Sequence, residues 1–338
     1  MTIGKIPETI KRILVINVAR IGDTLLAVPV FRGLRAAFPK AEIVCLANPK
    51  RAEVLNGLSY LDRCGTITKR SAPFLGWSGK RFDLALVFGR ERALVTYALR
   101  TARHVVALPT GEQKLDQQLY AIVQDQGMSH AVADRLRWLA TIGVEPSSLR
   151  LGYQVSTGEA EFAMRLVVTL CTGHRPVIGF QIASFPTKAY RNWPLEYFAS
   201  LGRRILSTFP NAHILVLGDR PDSRNARHLE QTLGEQCHAV AGQLTLRQTA
   251  AVMQQLNLYV GVDTGPTHLA GALGVPIVAL YHCLHPGHFL APLEHPTYLG
   301  VIEHPTALEE ATDRHLMSEI SVDRVWEHVR HALNNGLT

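Results

Sequence analysis

The sequence predicts an α/β protein of two Rossmann-like domains with a ligand cleft between them. Three observations carry that expectation. Short continuous apolar runs, each the length of a strand buried on both faces, alternate with segments of helical spacing. This alternation is laid out twice along 338 residues, a length sufficient for two ordinary domains. The halves also share a local signature at an offset of 171 residues: Phe38-Pro39-Lys40-Ala41-Glu42-Ile43 lines up with Phe209-Pro210-Asn211-Ala212-His213-Ile214, each where a first helix turns into a second strand.

The elements follow in order. RILVINV (12–18) is the first buried strand, AVPVFRGLRAAFP (27–39) has helical spacing and stops at a proline, and AEIVCLA (41–47) completes a βαβ unit. FDLALVF (82–88) and HVVALP (104–109) supply further strands, and residues 131–142 read as a helix. The second half restarts with the strand PVIGFQIA (176–183) and a long loop. A helix, 194–210, follows with Pro194 near its first turn, and then the strand AHILVLG (212–218). Gly261 to Tyr281, entered from the apolar NLYV, reads as strand, tight turn, small-residue helix and strand. A last amphipathic helix, about 321–335, carries Val322, Val325, Trp326, Val329 and Leu333 on one face and packs on one of the domains. The expected division is 1–160, 172–320 and a terminal helix segment, 321–338.

Composition narrows the class. Hydrophobic residues make up 47% and charged residues 19%, which suits a soluble globular protein. MTIGKIPETIKR has no apolar core and does not read as a signal peptide, and no apolar run reaches the roughly 18 residues a membrane span needs. Cys45, Cys64, Cys171, Cys237 and Cys283 are scattered without a CxxC pair and read as reduced thiols of a cytoplasmic protein. Charge is uneven. Residues 1–155 hold 22 Lys and Arg against 12 Asp and Glu, a net of +10, whereas 156–338 hold 13 against 16, a net of −3. The first half has either an ordinary basic surface or an anionic partner: a phosphorylated or carboxylated substrate, an acidic membrane face or nucleic acid.

Four places offer chemistry. Asp263-Thr264-Gly265, with His268 one turn on, puts an acid, a hydroxyl, a glycine and an imidazole at a helix N-terminus, a natural seat for phosphate. The loop from Ser184 to Pro194 adds the hydroxyls of Ser184 and Thr187 and the charges of Lys188 and Arg191, the mixture a diphosphate wants; the competing reading is a solvated loop anchored by Trp193. After AHILVLG, Asp219 or Asp222 either bonds a ribose hydroxyl or caps a helix. In the first βα turn, Asp23 is a general base or a helix cap, and Arg20 is an anion contact or a solvated loop residue.

Other patterns argue against rival chemistries. A lone DTG triplet in an α/β pattern does not make an aspartic protease, which needs two. His282, Cys283, His285 and His288 fit no common zinc spacing and read as a loop histidine cluster, so no metal ligands are assigned. There is no Asp-x-Asp, GxGxxG or Walker A pattern. Phe74, Leu75 and Trp77 lie between the pairs Lys69-Arg70 and Lys80-Arg81, an arrangement suited to a membrane-surface or lipid-substrate loop or to packing beneath a loop.

The run R-I-G-D-T-L-L-A-x-P from Arg20, the R-x-W-P of Arg191 to Pro194, and G-V-D-T-G-x-x-H-L-A-x-A-L-G-x-P from Gly261 together resemble the ADP-heptose:lipopolysaccharide heptosyltransferases, glycosyltransferase family 9. The resemblance implies a GT-B fold, with the acceptor on the first domain and the nucleotide-sugar on the second. It implies an inverting, metal-independent transfer without a cofactor, in which Asp23 is the base and Arg191 stabilises the leaving diphosphate. Ser184, Thr187, Lys188, Asp222, Asp263, Thr264, Gly265 and His268 would bind the donor, ADP-heptose. Arg20, Lys69 and Arg70 would bind an anionic lipopolysaccharide core acceptor. The implied protein is a monomer at the cytoplasmic face of the inner membrane with no nucleic-acid partner. A GT-B nucleotide-sugar epimerase and a relative with another donor or acceptor remain as alternatives. One departure stands out: where the family commonly continues Y-G-P-T-D-P, this chain reads Tyr281-His282-Cys283-Leu284-His285-Pro286, without the acid.

Overall fold

The computed structural model describes residues 10–124 and 127–336. The chain divides into two compact units between Gln154 and Val155. In the first, strands β1 (Arg12–Asn17), β2 (Glu42–Ala47), β3 (Arg63–Thr66), β4 (Phe82–Phe88), β5 (Ala102–Ala107) and β6 (Ala121–Ile122) are joined through helices α1 (Ile21–Leu26), α2 (Val28–Ala37), α3 (Arg92–Thr101) and α4 (Gln113–Asp116) and followed by α5 (Ala131–Thr141). The second opens with α6 (Thr157–Cys171). It continues through β7 (Val177–Gln181), α7 (Leu195–Thr208), β8 (His213–Leu217), α8 (Ser223–Leu233), β9 (Cys237–Ala239), α9 (Leu246–Gln254), β10 (Leu258–Val262), α10 (Gly265–Leu273), β11 (Ile277–Tyr281), α11 (Gly287–Leu290), β12 (Leu299–Glu303) and α12 (Val322–Gly336).

Each unit holds one six-stranded sheet, in the orders β3-β2-β1-β4-β5-β6 and β9-β8-β7-β10-β11-β12. Every strand pair is parallel. The two orders are one order, 3-2-1-4-5-6 counted within each unit, which is the Rossmann arrangement. The internal duplication therefore extends from a six-residue signature to whole sheets. The signature itself marks the same helix exit twice. Phe38 N–H donates to Leu34 O at 2.8 Å and Ala41 N–H to Phe38 O at 3.1 Å; Phe209 and Ala212 make the same two bonds, to Ile205 O and Phe209 O, both at 2.8 Å.

Strands β7, β8, β10 and β11 are buried at every residue, which is why their sequences read as unbroken apolar runs. One face of the second sheet packs Phe180, Ile214, Val216, Val260 and Val278 against Phe198, Leu201 and Ile205 of α7, Leu229 of α8, and Val325, Val329 and Leu333 of α12. The terminal helix thus belongs to the core of the second unit.

Three features differ from the sequence expectation. The helical stretch 27–39 is the second of two helices: α1 begins at Ile21, and the chain restarts as α2 around Pro29, whose missing N–H suits a first turn. Strands β3, β6, β9 and β12 were not foreseen, because they are two to five residues long and mostly half-buried. Residues 161–171, left between the two expected domains, lie in α6 of the second unit.

Helix α6 is fastened at its start by charge. Ser156 Oγ accepts from Glu159 N–H at 3.4 Å, and Glu159 Oε2 accepts from Ser156 N–H at 2.8 Å, a reciprocal capping box. Arg247 of α9 then grips the same carboxylate in a fork, Nε to Oε1 and Nη2 to Oε2, both at 2.7 Å. The Arg247 hydrogen bond is the main reason the Glu159 carboxyl lies at about 2, below its ordinary 4.5, with the bonds from Ser156 adding to it. A depressed carboxylate pKa contributes stability above the unfolded value, which is lost as pH falls through the folded one. Glu159→Gln is therefore expected to cost about 1–3 kcal/mol at neutral pH. In urea unfolding the gap from the wild type should close as pH drops from 4.5 towards 2; a gap independent of pH would contradict this role for Glu159.

Candidate functional site

In a sheet of this order the chain reverses direction between its first and fourth strands, and ligands seat outside the carboxyl ends of the strands at that point. In the second unit the reversal lies between β7 and β10, and it is there that the loop of residues 184–194 and the Asp263 turn emerge. Strand β10 runs into Asp263, which is 3% exposed, and α10 begins two residues later. Thr264, at the helix N-cap, is extended with φ −155°, and its hydroxyl turns back to Val262 O at 3.3 Å. Thr267 Oγ1 donates to the same carbonyl at 2.8 Å, and Tyr259 OH pairs with Thr267 at 3.1 Å. Gly261 permits this packing: a Cβ there would sit 2.7 Å from the Gln181 side chain and 2.8 Å from Tyr259 OH.

A buried carboxylate needs a cation, and Arg191 supplies it. Its guanidinium donates to Asp263 Oδ2 and to the Asp263 backbone carbonyl. His268 Nε2 stands 3.8 Å from Asp263 Oδ1. That oxygen and the hydroxyl of Ser184 are buried with no hydrogen-bond partner among the described residues, so both keep acceptor or donor capacity at the rim of the turn. Beside them Lys188 Nζ lies 3.3 Å from Tyr190 OH, and Tyr190 OH lies 3.0 Å from His285 Nε2. Burial, then the charges of Arg191, Lys188 and His282, lower His285 to about 4, so it is a neutral imidazole at physiological pH. The segment that departs from the family pattern therefore reaches the site through Tyr190.

The loop is held at both ends. Asn192 Oδ1 accepts from Ser184 N–H at 2.7 Å, and Trp193, 2% exposed, donates its indole N–H to Ile320 O at 2.8 Å. The two readings of the loop combine: Trp193 is the anchor, and the anchor presents Lys188 and Arg191. Thr187 is exposed, on the short kinked 3-10 segment Pro186–Arg191. Asp222 follows the adjacent strand β8. Its carboxylate accepts from Asp219 N–H at 2.9 Å rather than capping α8, and lies over Gly218, whose φ of +148° and lack of a side chain make room for it. Burial raises the Asp222 carboxyl above its ordinary value, opposed by the hydrogen bond from Asp219 N–H and aided by the charge of Asp219. His282 accepts from Leu284 N–H through Nδ1 at 3.1 Å, so its Nε2 donates to His315 O at 3.0 Å, and His288 pairs with Glu303 at 3.1 Å. These histidines are tied into loops.

The first unit places Asp23 in the first turn of α1, after β1, where Arg20 occupies the N-cap. Asp23 is not the cap. Its Oδ1 accepts from Arg135 Nη2 at 2.6 Å, and its carbonyl accepts from Arg135 Nε at 3.3 Å. Arg135, on α5, was missed: nothing in the spacing links residues 112 positions apart. Burial lowers the Arg135 pKa, partly offset by Asp23 and Asp134. Arg20, Lys69 and Arg70 are exposed, and Lys69 lies 3.5 Å from Glu91.

The Arg191–Asp263 pair sets an energetic expectation. Arg191→Ala leaves a buried charge without its partner and should cost about 3–5 kcal/mol of stability. Combining it with Asp263→Asn should recover part of that loss in urea unfolding. Strictly additive losses would show that the two residues do not support each other.

Comparison with known proteins bears on the family and the fold. The family model described as glycosyltransferase family 9 (heptosyltransferase) matches residues 92–315, beginning beyond Asp23. Lipopolysaccharide heptosyltransferase 2 of Salmonella typhimurium is 24% identical over 314 residues, covering 84% of this chain and 86% of the relative. The structure of E. coli ADP-heptose lps heptosyltransferase II superposes with a TM-score of 0.77 at 22% identity, over 97% of this chain and 100% of the other. E. coli heptosyltransferase WaaC with ADP-2-deoxy-2-fluoro heptose gives 0.67 at 15% identity, over 95% and 99%. The two parallel Rossmann-like sheets are those of the GT-B heptosyltransferase structures, and the chain belongs to glycosyltransferase family 9, the heptosyltransferase family.

Proposed function

We propose that the protein transfers a heptose from ADP-heptose to the phosphorylated inner core of lipopolysaccharide, with inversion at the anomeric carbon and no metal ion in the reaction. The observation that carries this reading is the group at the β7/β10 reversal. There Arg191 pairs with Asp263 just ahead of α10, His268 lies in that helix's first turns, Lys188 stands on the same loop as Arg191, and Ser184 Oγ and Asp263 Oδ1 are unsatisfied. A nucleotide-sugar offers the matching partners: a diphosphate for the cations and the helix N-terminus, and sugar hydroxyls for the free oxygens. The names of the relatives supply the sugar and the acceptor.

The acceptor hydroxyl oxygen attacks the anomeric carbon as the bond to the diphosphate oxygen breaks, through an oxocarbenium-like transition state. The hydroxyl proton passes to Asp23, whose orientation Arg135 fixes, and the leaving diphosphate takes up the broken bond's electron pair. Lys188, the N-terminus of α10 and Arg191 stabilise that growing charge, which removes the need for a divalent cation. The net +10 of residues 1–155 suits an anionic acceptor and favours transfer over epimerisation, which needs no acceptor.

Asp23→Asn should reduce transfer from ADP-heptose to a deacylated core acceptor by about 10²–10⁴-fold while ADP binding by calorimetry stays near wild type. Near-wild-type turnover would remove Asp23 from the base role. Nucleotide-sugar conversion at an equal rate without acceptor would favour the epimerase instead.

The exposed aromatic loop supports a peripheral position on the cytoplasmic face of the inner membrane. No helix among the described residues is long and apolar enough to cross a membrane. Phe74 is 81% and Trp77 73% exposed, so neither packs beneath the loop. Arg100 holds the loop in shape, donating to the carbonyls of Ala72 and Leu75 at 2.7 Å, with its guanidinium 4.4 Å from the Trp77 ring centre. Rigid apolar tips between Lys69-Arg70 and Lys80-Arg81 fit an anionic bilayer surface. Phe74→Ser with Trp77→Ser should weaken co-sedimentation with phosphatidylglycerol vesicles and leave transfer to the deacylated, soluble acceptor unchanged. Undiminished vesicle binding would exclude the loop as the contact.

A further inference from the structure

At the end of the second sheet away from the candidate site, three side chains widely separated in sequence converge. Cys171 is the last residue of α6, His213 the first of β8 and His238 the middle of β9. One ligand atom from each lies within 4.8 Å of the other two, the one such group of His, Cys, Asp or Glu among the described residues. Strand pairing produces the convergence. Leu215 is paired with His238, so His213, two residues earlier on β8, shares a sheet face with His238, and the end of α6 lies over that face.

The spacing of the two imidazoles is close to that of zinc ligands. His213 Nδ1 and His238 Nε2 are 3.1 Å apart in rings tilted by only 5°, sharing one proton between them. Two imidazole nitrogens bound to one zinc at 2.0–2.1 Å stand about 3.3–3.4 Å apart, so a small swing of the rings opens the pair to accept a metal in place of that proton. A fourth donor is at hand. Cys171-Thr172-Gly173-His174 has the two-residue spacing of a zinc-ligand turn, and the backbone takes that turn, with φ of +51° at Thr172 and +77° at Gly173. The His174 ring centre is 5.9 Å from that of His213, and His174 is exposed, which opens a path from solvent.

We infer that Cys171, His213 and His238, with His174 closing the fourth position, form a structural site for a borderline-soft divalent metal, zinc foremost, that ties the end of α6 to β8 and β9. A Cys-His₃ donor set without carboxylates selects zinc over magnesium or calcium. Binding forms one metal–sulfur bond and three metal–nitrogen bonds; the thiol proton and any imidazolium protons go to solvent, and the proton between His213 and His238 moves to the far nitrogen of its own ring. The site lies at the amino end of β8, whereas the proposed chemistry lies beyond the carboxyl ends of β7 and β10, so its role is to hold the fold.

The full chain is loaded with Zn(II) or Co(II), freed of excess metal by gel filtration, and assayed for metal content. About one equivalent should remain. The Co(II) form should show a thiolate-to-metal charge-transfer band, and zinc should raise Tm. Cys171→Ser should abolish the band and weaken binding by at least roughly tenfold. His238→Ala, at a half-buried position, gives the same test if the cysteine variant does not fold. Both variants should keep wild-type transfer activity at a temperature where they are folded. No retained metal in the wild type, full retention in His238→Ala, or loss of metal on Cys283→Ser instead would each overturn the assignment.

Discussion

A carboxylate at the end of a fully buried strand governs how the second unit is arranged around its candidate site. Asp263 follows five buried residues of β10 and is itself almost entirely buried. A lone charge there would be costly, and the chain answers with Arg191, delivered from the neighbouring strand's exit. That delivery explains the length and the anchoring of the 184–194 loop. Trp193 fixes the loop to the segment ahead of α12 through its bond to Ile320 O, while Asn192 ties the far end back to Ser184. The result is a cation and polar atoms held at the first turn of α10, the arrangement on which the proposed donor seat rests.

The same sheet order serves both units, yet they spend their loops differently. At the first reversal Asp23 is half-exposed and oriented by Arg135; at the second Asp263 is buried and locked by Arg191. An exposed, oriented carboxylate is suited to accept a proton. A buried, charge-paired one is suited to hold structure and to present a single oxygen. The charge asymmetry follows the same division, with the basic half carrying the exposed Lys69 and Arg70 and the aromatic loop.

Much of the fold was legible because parallel strands covered on both faces leave unbroken apolar runs, and because a helix exit repeated as Phe-Pro-x-Ala-x-Ile makes the same two hydrogen bonds in each unit. The short strands β3, β6, β9 and β12 were not legible, since an edge strand of two to five residues is too short for a run or an alternation to stand out. Helix α1 was hidden because its six residues, Ile21–Leu26, follow the strand directly and read as the first βα turn. At the candidate site, the nearness of Arg191, Asp263 and His268 was legible from residue type next to strand exits. Arg135, the Tyr190–His285 contact and the Cys171–His213–His238 cluster were out of reach, because each joins residues whose proximity only the packed sheet creates.

The central claim is that the β7/β10 reversal is the donor seat of a family 9 enzyme. Hydrogen exchange measured by mass spectrometry, with and without saturating ADP-heptose, tests it directly. Slowed exchange concentrated in peptides covering 184–194 and 263–268 is the predicted result. Protection that falls elsewhere, or none at a concentration where calorimetry shows binding, would contradict it.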